Sequence, residues 1–597
     1  MKMDAMVLLE RLREGDSTFS RIEIASSTHR SMKVEEWEEL LGLLSNRRSL
    51  RRVILAGNNL CSAEKNTTAA LQCTKSHLVH SEGEFVEILL NNNNSSMETL
   101  DMSWCGLSDA KWIIAMATSL ATNTSLRTLK LKGNDMSTDS VVAFAEALRY
   151  NSTLQHFEVS IGSCRSMEAI ASMLTVNTTL HTLELEHTDR TTIEPFAACL
   201  VHNKTLRKLN LSGSWIFSSG CDTKERAFFR ALGRNKGLQS LALCCMNISS
   251  PRVCRALADA LAANTTLVDL NLSGNRLDIG ASFQILVDRG LLRNKSITGL
   301  MIGNCSGPGT SAGKWKHPAV NALAKLVLRK KNKMGTIRRL DLSHTFFPLE
   351  PSLRAMVTNP FLLDLDLSYC GIPSVFGTLV DLLTHHTTLQ KLNLSGMTVF
   401  DWNKVQALGK ALAANQGLRT LLLRNSYFSA PDGVGCLLRG LAEQGRLQEL
   451  DMSYTGNAQD TLQLAEIAKT HPSLTSIKLA GDQWSMTEWS ACMNAFVEAA
   501  RLNRRLVSVE QGVVPTKRSD HDWSASLHVL YSYLDMNRHG RHDLLRDHPH
   551  LLADLMGSYI DFRTKTNLVM ENQEPLIQAI QGRYNTTRGN AVYSDKT

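Results

Sequence analysis

The sequence predicts an α/β solenoid with parallel strands lining a concave face and helices on the convex one. Three observations predict it. A leucine motif, clearest at Leu267–Leu277 as LVDLNLSGNRL, recurs along the chain. Apolar positions at three- and four-residue spacing flank each copy, as in PRVCRALADALAANTT before this one and DIGASFQILVDRGLLRN after it. The recurrence also keeps a near-constant period. Strand motifs begin at Phe19, Leu50, Met97, Leu126, Leu154, Leu180, Leu206, Leu238, Leu267, Ile297, Ile337, Leu362, Leu389, Leu418, Leu447, Leu474 and Leu506, about 30 residues apart on average.

Each unit follows from strand and helix geometry. In a strand, alternate residues point to opposite sides, so Leu129 and Leu131 face the core and Lys130 faces out. The helix of that unit presents Val141, Val142, Phe144, Ala145 and Leu148 on one side. Helices end at Asn123, Asn151, Asn177 and Asn264, and the sequence predicts a left-handed stop at these residues. Asn134 and Asn275, in the turn after the strand, are expected to bond backbone groups along the stack. Cys105, Ser214, Met246, Cys305 and Cys370 take that position in other units. The sequons at Asn123, Asn177, Asn264 and Asn393 follow from the repeat pattern itself and are read as unglycosylated.

A chain of 597 residues ordinarily splits into several domains. A solenoid need not, because each repeat contacts only its neighbours. The predicted organisation is an N-terminal helical cap over residues 1–18, a solenoid of about 17 repeats over 19–519, and a C-terminal helical cap and polar tail over 520–597. Two units are overlong and place inserts near 61–81 and 303–318, expected to protrude as loops.

The N-terminal stretch MKMDAMVLLERLREGD has charges at Lys2, Asp4, Glu10, Arg11 and Arg13 and lacks a signal-peptide core. No apolar run approaches the length of a bilayer span. Thirteen scattered cysteines, an odd number, suggest free thiols. The expected compartment is therefore reducing, cytoplasmic or alternatively nuclear. A net charge of +8 is too thinly spread for a dedicated nucleic-acid binder.

Several motifs invite sharper readings and fail on chemistry. GPGTSAGKW at Gly307–Trp315 misses both the glycine spacing and the hydroxyl of a phosphate loop. His539, His542, His548 and His550 have zinc-ligand chemistry but no nearby cysteine and uneven spacing. The basic runs Arg47–Arg52, Arg329–Lys333 and Arg501–Arg505 end helical stretches, where cations meet the helix dipole favourably. No catalytic signature is found, so no catalytic, cofactor-binding or metal residue is assigned.

The outward residues of the strands are the better candidates. Asp101, Lys130, Glu158, Glu184, Asp341, Asp366 and Asp451 belong to a row with seven acids and two bases. An acidic face on a net-positive chain would draw a basic partner. A second row just past the strands holds Trp104, His187, His344, Tyr369 and Tyr454, where other units have Gly213, Gly274 or Gly396. Exposed aromatics of this kind anchor partners. The predicted partner site therefore joins the seven outward residues named above to Trp104, Tyr369 and Tyr454 on the rim.

The units LRTLKLKGNDMSTDSVVAFAEALRYNSTL and LVDLNLSGNRL resemble leucine-rich repeats of the ribonuclease-inhibitor class, over roughly 19–510. Repeat regions of NOD-like receptors and Ran GTPase-activating proteins share that class. The resemblance implies a right-handed horseshoe with strands inside and helices outside. Seventeen repeats with no other module lead to the expected function, a non-enzymatic scaffold that binds a protein on its concave face and rim, without cofactor, nucleic acid or membrane. A small-GTPase regulator of the Ran-activating type, or an immune-type sensor acting with a separate signalling chain, are the alternatives. Residues 521–597 carry nine acids and eight Lys/Arg, unlike the strongly acidic tail of Ran activators, so no catalytic arginine is transferred.

Overall fold

The computed structural model describes residues 97–511 except 188–192, 214–222, 278–280, 306–316, 329–336, 346–348, 372–374, 400, 429–432 and 481–484. Outside that span it describes residues 2–3, 9, 13, 21–24, 39, 43, 51–55, 530, 533–534 and 537–538. The chain divides into two compact units, Met1–Leu340 and Asp341–Thr597.

In the first unit the strands Lys2–Met3, Arg21–Ile24, Arg52–Ile54, Thr99–Asp101, Thr128–Leu131, His156–Ile161, Thr182–His187, Lys208–Asn210, Ser240–Ala242, Asp269–Asn271 and Gly299–Met301 pair in parallel, each with the next. In the second unit Asp364–Asp366, Lys391–Asn393, Thr420–Leu422, Glu449–Asp451, Ser476–Leu479 and Ser508–Gln511 do the same. Helices such as Thr138–Tyr150 and Trp402–Ala414 lie between successive strands and stack on one another. Each unit is thus a solenoid of strand–helix repeats, as the leucine period predicts.

The predicted alternation holds. Leu129 and Leu131 are fully buried, while Lys130 is half-buried on the opposite side. Of the predicted repeat starts, the fifteen from Met97 to Leu506 are all buried. A repeat cannot bury its leucines alone, so stacking on its neighbours is what removes them from water.

Two ladders of polar side chains tie the repeats together. In the turn after the strand, Asn134 donates to the carbonyls of Met102 and Leu131 and accepts from the amides of Cys105 and Leu107. Asn275 repeats this with Leu243, Leu272, Met246 and Ile248. Where cysteine replaces asparagine, the thiol still donates to the preceding repeat: Cys105 to the Leu55 carbonyl at 3.2 Å, Cys305 to Leu272 at 3.3 Å and Cys370 to Leu342 at 3.1 Å. At these three cysteines the slot keeps a donor and gives up the amide oxygen.

The second ladder corrects an expectation. Asn123, Asn151 and Asn264 end their helices in extended backbone, with φ of −67°, −66° and −75°, not in a left-handed turn. Their side chains do the stopping. Asn151 accepts from the amides of Thr153 and Leu154 and donates to the Leu120 and Asn123 carbonyls of the preceding repeat. Asn177, Asn203, Asn235, Asn294, Asn415 and Asn503 repeat the pattern. The sequon residues Asn123, Asn177 and Asn264 are buried, so no glycan can reach their amides.

Within residues 1–18, Leu9 and Arg13 are helical and a short strand precedes them. Lys2–Met3 form a strand paired with Glu23–Ile24, so the sheet begins ahead of Phe19. At the other end Leu530, Tyr533 and Leu534 are helical and buried. Asn537 donates to the carbonyls of Ala500, Asn503 and Leu506, which extends the asparagine ladder beyond the last predicted repeat. The insert near 61–81, Gly307–Trp315 and the histidines from His539 to His550 lie outside the described residues, as does most of the insert at 303–318.

Candidate partner-binding face

Strand pairing brings the outward residues into register. Asp101 lies opposite Lys130, Lys130 opposite Glu158 and Glu158 opposite Glu184. In the second unit Asp366 lies opposite Asn393 and Asp451 opposite Lys478, with Asp341 on its own strand. The predicted row is therefore a real geometric feature within each unit.

Its charge is not uniform, because a second outward row runs two residues earlier on each strand. In the first unit the two rows together hold five acids, Glu23, Asp101, Glu158, Glu184 and Asp269. Five bases match them: Arg21, Arg52, Lys130, Lys208 and Arg339. Lys130 Nζ lies 2.8 Å from Glu158 Oε1, Lys208 Nζ lies 2.6 Å from Glu184 Oε1, and Arg339 pairs with Asp269. The expectation of an acidic face thus fails in this unit, since reading only the middle row omitted the compensating cations.

In the second unit the same two rows hold six acids, Asp341, Asp364, Asp366, Glu449, Asp451 and Glu510, against Lys391 and Lys478. Here the face is acidic. Some of that acidity also has local work. Asp341, Asp366 and Asp451 each accept from the backbone amide two residues on, at Ser343, Ser368 and Ser453, which closes the turn after the strand. Asn210, Asn271 and Asn393 do the same without charge. In these repeats an Asx side chain closes the turn and needs no charge, and Ala242, Met301 and Leu422 hold the same strand position elsewhere.

The rim aromatics are held in an unusual backbone. Trp104, His344, Tyr369 and Tyr454 adopt φ of 58°, 53°, 55° and 57°. A non-glycine residue in this region costs roughly 1–2 kcal/mol. Gly133 and Gly396 occupy the slot in other repeats, at φ of 74° and 73°. A Cβ on Gly133 would fall inside the Trp104 ring, and one on Gly396 inside the Tyr369 ring. Trp104 and Tyr369 thus each lie over the glycine of the following repeat. Tyr369 also stacks on His344, with ring centroids 4.6 Å apart, and accepts at its hydroxyl from Asn425 Nδ2 at 3.0 Å. Arg424 lies over the Tyr454 ring at 5.5 Å. Trp104 is 59% exposed and Tyr369 37% exposed. His187 is the last residue of its strand.

This packing predicts a coupling. Gly396→Ala should cost about 2 kcal/mol or more in the native background, combining backbone strain with the clash on Tyr369. In a Tyr369→Ala background only the backbone part should remain. A double-mutant cycle by chemical denaturation checks this, and strictly additive costs would contradict the contact.

His156, Glu158 and Glu184 form the one group among the described residues with metal-ligand chemistry, their ligand atoms all within 4.8 Å of one another. Both carboxylates already have cationic partners, and His156 Nε2 lies 2.6 Å from Glu158 Oε1. Burial works to raise the Glu158 carboxyl, but hydrogen bonds from His156 and Lys130, with their charges, hold it down at about 2. The same pairing raises Lys130 against the effect of burial. Because the folded carboxyl titrates below the unfolded one, its contribution is present above about pH 4.5 and lost as pH falls toward 2. Glu158→Gln should therefore destabilise the first unit by about 2 kcal/mol at neutral pH. The difference should shrink between pH 4.5 and 2, as read from urea denaturation. Burial pushes the thiols of Cys199 and Cys254 up to about 12, so neither offers a reactive thiolate at neutral pH.

The leucine-rich repeat family model matches residues 93–110, 122–145, 202–222 and 263–278. These segments carry the strand and turn motifs whose stacking is described above. The chain is a leucine-rich repeat protein. Similar solved structures include leiomodin-1 actin-binding site 2, at 21% identity over 27% of this chain and 91% of that one, with a TM-score of 0.22. The tropomodulin C-terminal domain of Caenorhabditis elegans is 14% identical over 29% of this chain and 91% of that one, also at 0.22. No curated protein matches this leucine-rich repeat chain in sequence. None of its helices, among the described residues, is long and apolar enough to cross a membrane.

Proposed function

We propose that this leucine-rich repeat protein is a non-enzymatic interaction scaffold. Its partner is a protein with a basic surface, and docking is on the strand face and rim of the Asp341–Thr597 unit. The observation that carries this reading is the coincidence of two features on the same repeats. The strands there expose six acids against two lysines. The rim beside them holds His344, Tyr369 and Tyr454 in a backbone conformation that glycine adopts more easily. Strained, exposed aromatics beside unmatched charge suit recognition, with aromatic anchors giving affinity and charge giving encounter rate. Asp101, Trp104, Lys130, Glu158 and Glu184 belong to the first unit, whose strand charges are balanced, and there Trp104 is the proposed anchor.

The test is capture from cell extract by the intact chain and by a variant carrying Asp341→Lys, Asp366→Lys, Asp451→Lys, Tyr369→Ala and Tyr454→Ala. A partner bound by the intact chain and lost by the variant supports the reading. Partners retained equally by both would sink it.

A further inference from the structure

On the helix side of the Met1–Leu340 unit, a groove of about 540 Å³ runs between the helices Thr223–Arg234 and Pro251–Ala263. Its floor is built from small residues, Gly233, Ala256, Ala260 and Ala263. A Cβ on Gly233 would meet Ala260 Cα at 3.4 Å, so the helices approach closely at the base. Its walls carry five arginines. Arg226, Arg230 and Arg234 come from the first helix, and Arg252 and Arg255 from the second. All five are exposed, and among the described residues none of the five guanidiniums has a carboxylate partner. The single acid in the lining, Asp259, is already taken by a two-pronged pair with Arg289.

Helix stability accounts for Arg234 alone, in the last turn of its helix where the dipole favours cations. Arg226, Arg230 and Arg234 recur every four residues on one stripe, where like charges repel and destabilise a helix. Arg252 is the second residue of its helix and Arg255 lies one turn later, where the helix dipole disfavours cations. An ordinary solvated helix face mixes signs; this one does not. An anion in the groove would relieve all three penalties together.

The residue type narrows the ligand. Every cation in the lining is arginine, whose planar fork pairs with an oxyanion through two parallel hydrogen bonds. Arg226 and Arg234 are separated by about 12 Å along the helix axis. One phosphate cannot span such a row. An extended peptide advances about 3.3 Å per residue and presents alternate side chains to the same side, so acids at every second position would lie roughly 7 Å apart and reach the whole row. We propose that this groove binds an acidic peptide segment of a protein partner, with carboxylates at alternating positions. This site lies on the helices, apart from the strand face proposed above, and either can fail without the other.

The probe is a fluorescein-labelled decapeptide of alternating glutamate and serine, titrated with the full chain and read by anisotropy. Binding should be saturable and weaken with salt. The variant Arg226→Gln, Arg230→Gln, Arg255→Gln should bind at least tenfold more weakly with an unchanged thermal melt, since all three side chains are exposed. A control removing the same charge elsewhere, Lys410→Gln, Arg504→Gln, Arg505→Gln, should stay within twofold of the native chain. Replacing the three groove arginines by lysine should weaken binding at least threefold, because charge is kept and the fork is lost. The proposal is overturned if the native chain does not bind the peptide, if both glutamine variants weaken it equally, or if the lysine variant binds as tightly as the native chain. It is also overturned if a single-stranded RNA decamer binds more tightly than the peptide and is lost with the groove variant, which would assign the groove to nucleic acid.

Discussion

Asn275→Ala is expected to cost about 4 kcal/mol. Asn275 is fully buried and serves four backbone groups at once. Its amide nitrogen donates to the carbonyls of Leu243 and Leu272, and its carbonyl oxygen accepts from the amides of Met246 and Ile248. Alanine leaves all four unpartnered in the interior, each at roughly 1–3 kcal/mol, offset in part by local rearrangement. Asn275→Cys should be milder. At Cys105, Cys305 and Cys370 the thiol supplies one donor in this slot, so the two amides and one carbonyl would be orphaned in place of four groups. Native-state hydrogen exchange should show the amides of Met246 and Ile248 opening first. An alanine variant as stable as the native chain would mean that water or a shifted backbone satisfies the turn.

Leu272→Ala is expected to cost about 2–5 kcal/mol, from the lost burial and the cavity left behind. Leu272 is fully buried between neighbouring repeats. Each repeat in a solenoid contacts its neighbours alone, so the loss should concentrate in the strands Ser240–Ala242, Asp269–Asn271 and Gly299–Met301. Exchange at Thr128–Leu131, several repeats away, should change little. Exchange that rose uniformly through the unit would indicate a single cooperative core and contradict the repeat description.

The fold was legible in the sequence because one interaction, leucine burial between neighbours, is written about every 30 residues. A period of that length with a strand motif in each copy leaves few alternatives. What the sequence hid was the second use of polar residues. Asn123 and Asn151 read as helix stops, and they are, but through side-chain bonds to the preceding repeat and not through backbone handedness. Asn537 carried the same signal, and it was masked by the decay of the leucine pattern around it.

The candidate face was legible in position and less so in charge. Alternation along a strand identifies Lys130 and Glu158 as outward. It does not say that Lys208, two positions before its own middle-row site, neutralises Glu184 on the preceding strand. That pairing needs register between strands, which appears only when they stack. The arginine groove is a different case. The spacing of Arg226, Arg230 and Arg234 was visible on one helical stripe, whereas the contribution of Arg252 and Arg255 required the two helices side by side.

The central claim is that recognition uses the strand face and rim of the second unit. Hydroxyl-radical footprinting of the chain with and without its captured partner tests it most directly. Tyr369 is exposed on the rim, while Tyr150, 76% exposed at the end of a helix in the first unit, serves as an internal control. The account predicts that partner binding protects Tyr369 and Tyr454 and leaves Tyr150 unchanged. Protection of Tyr150 with Tyr369 and Tyr454 unaffected would contradict it.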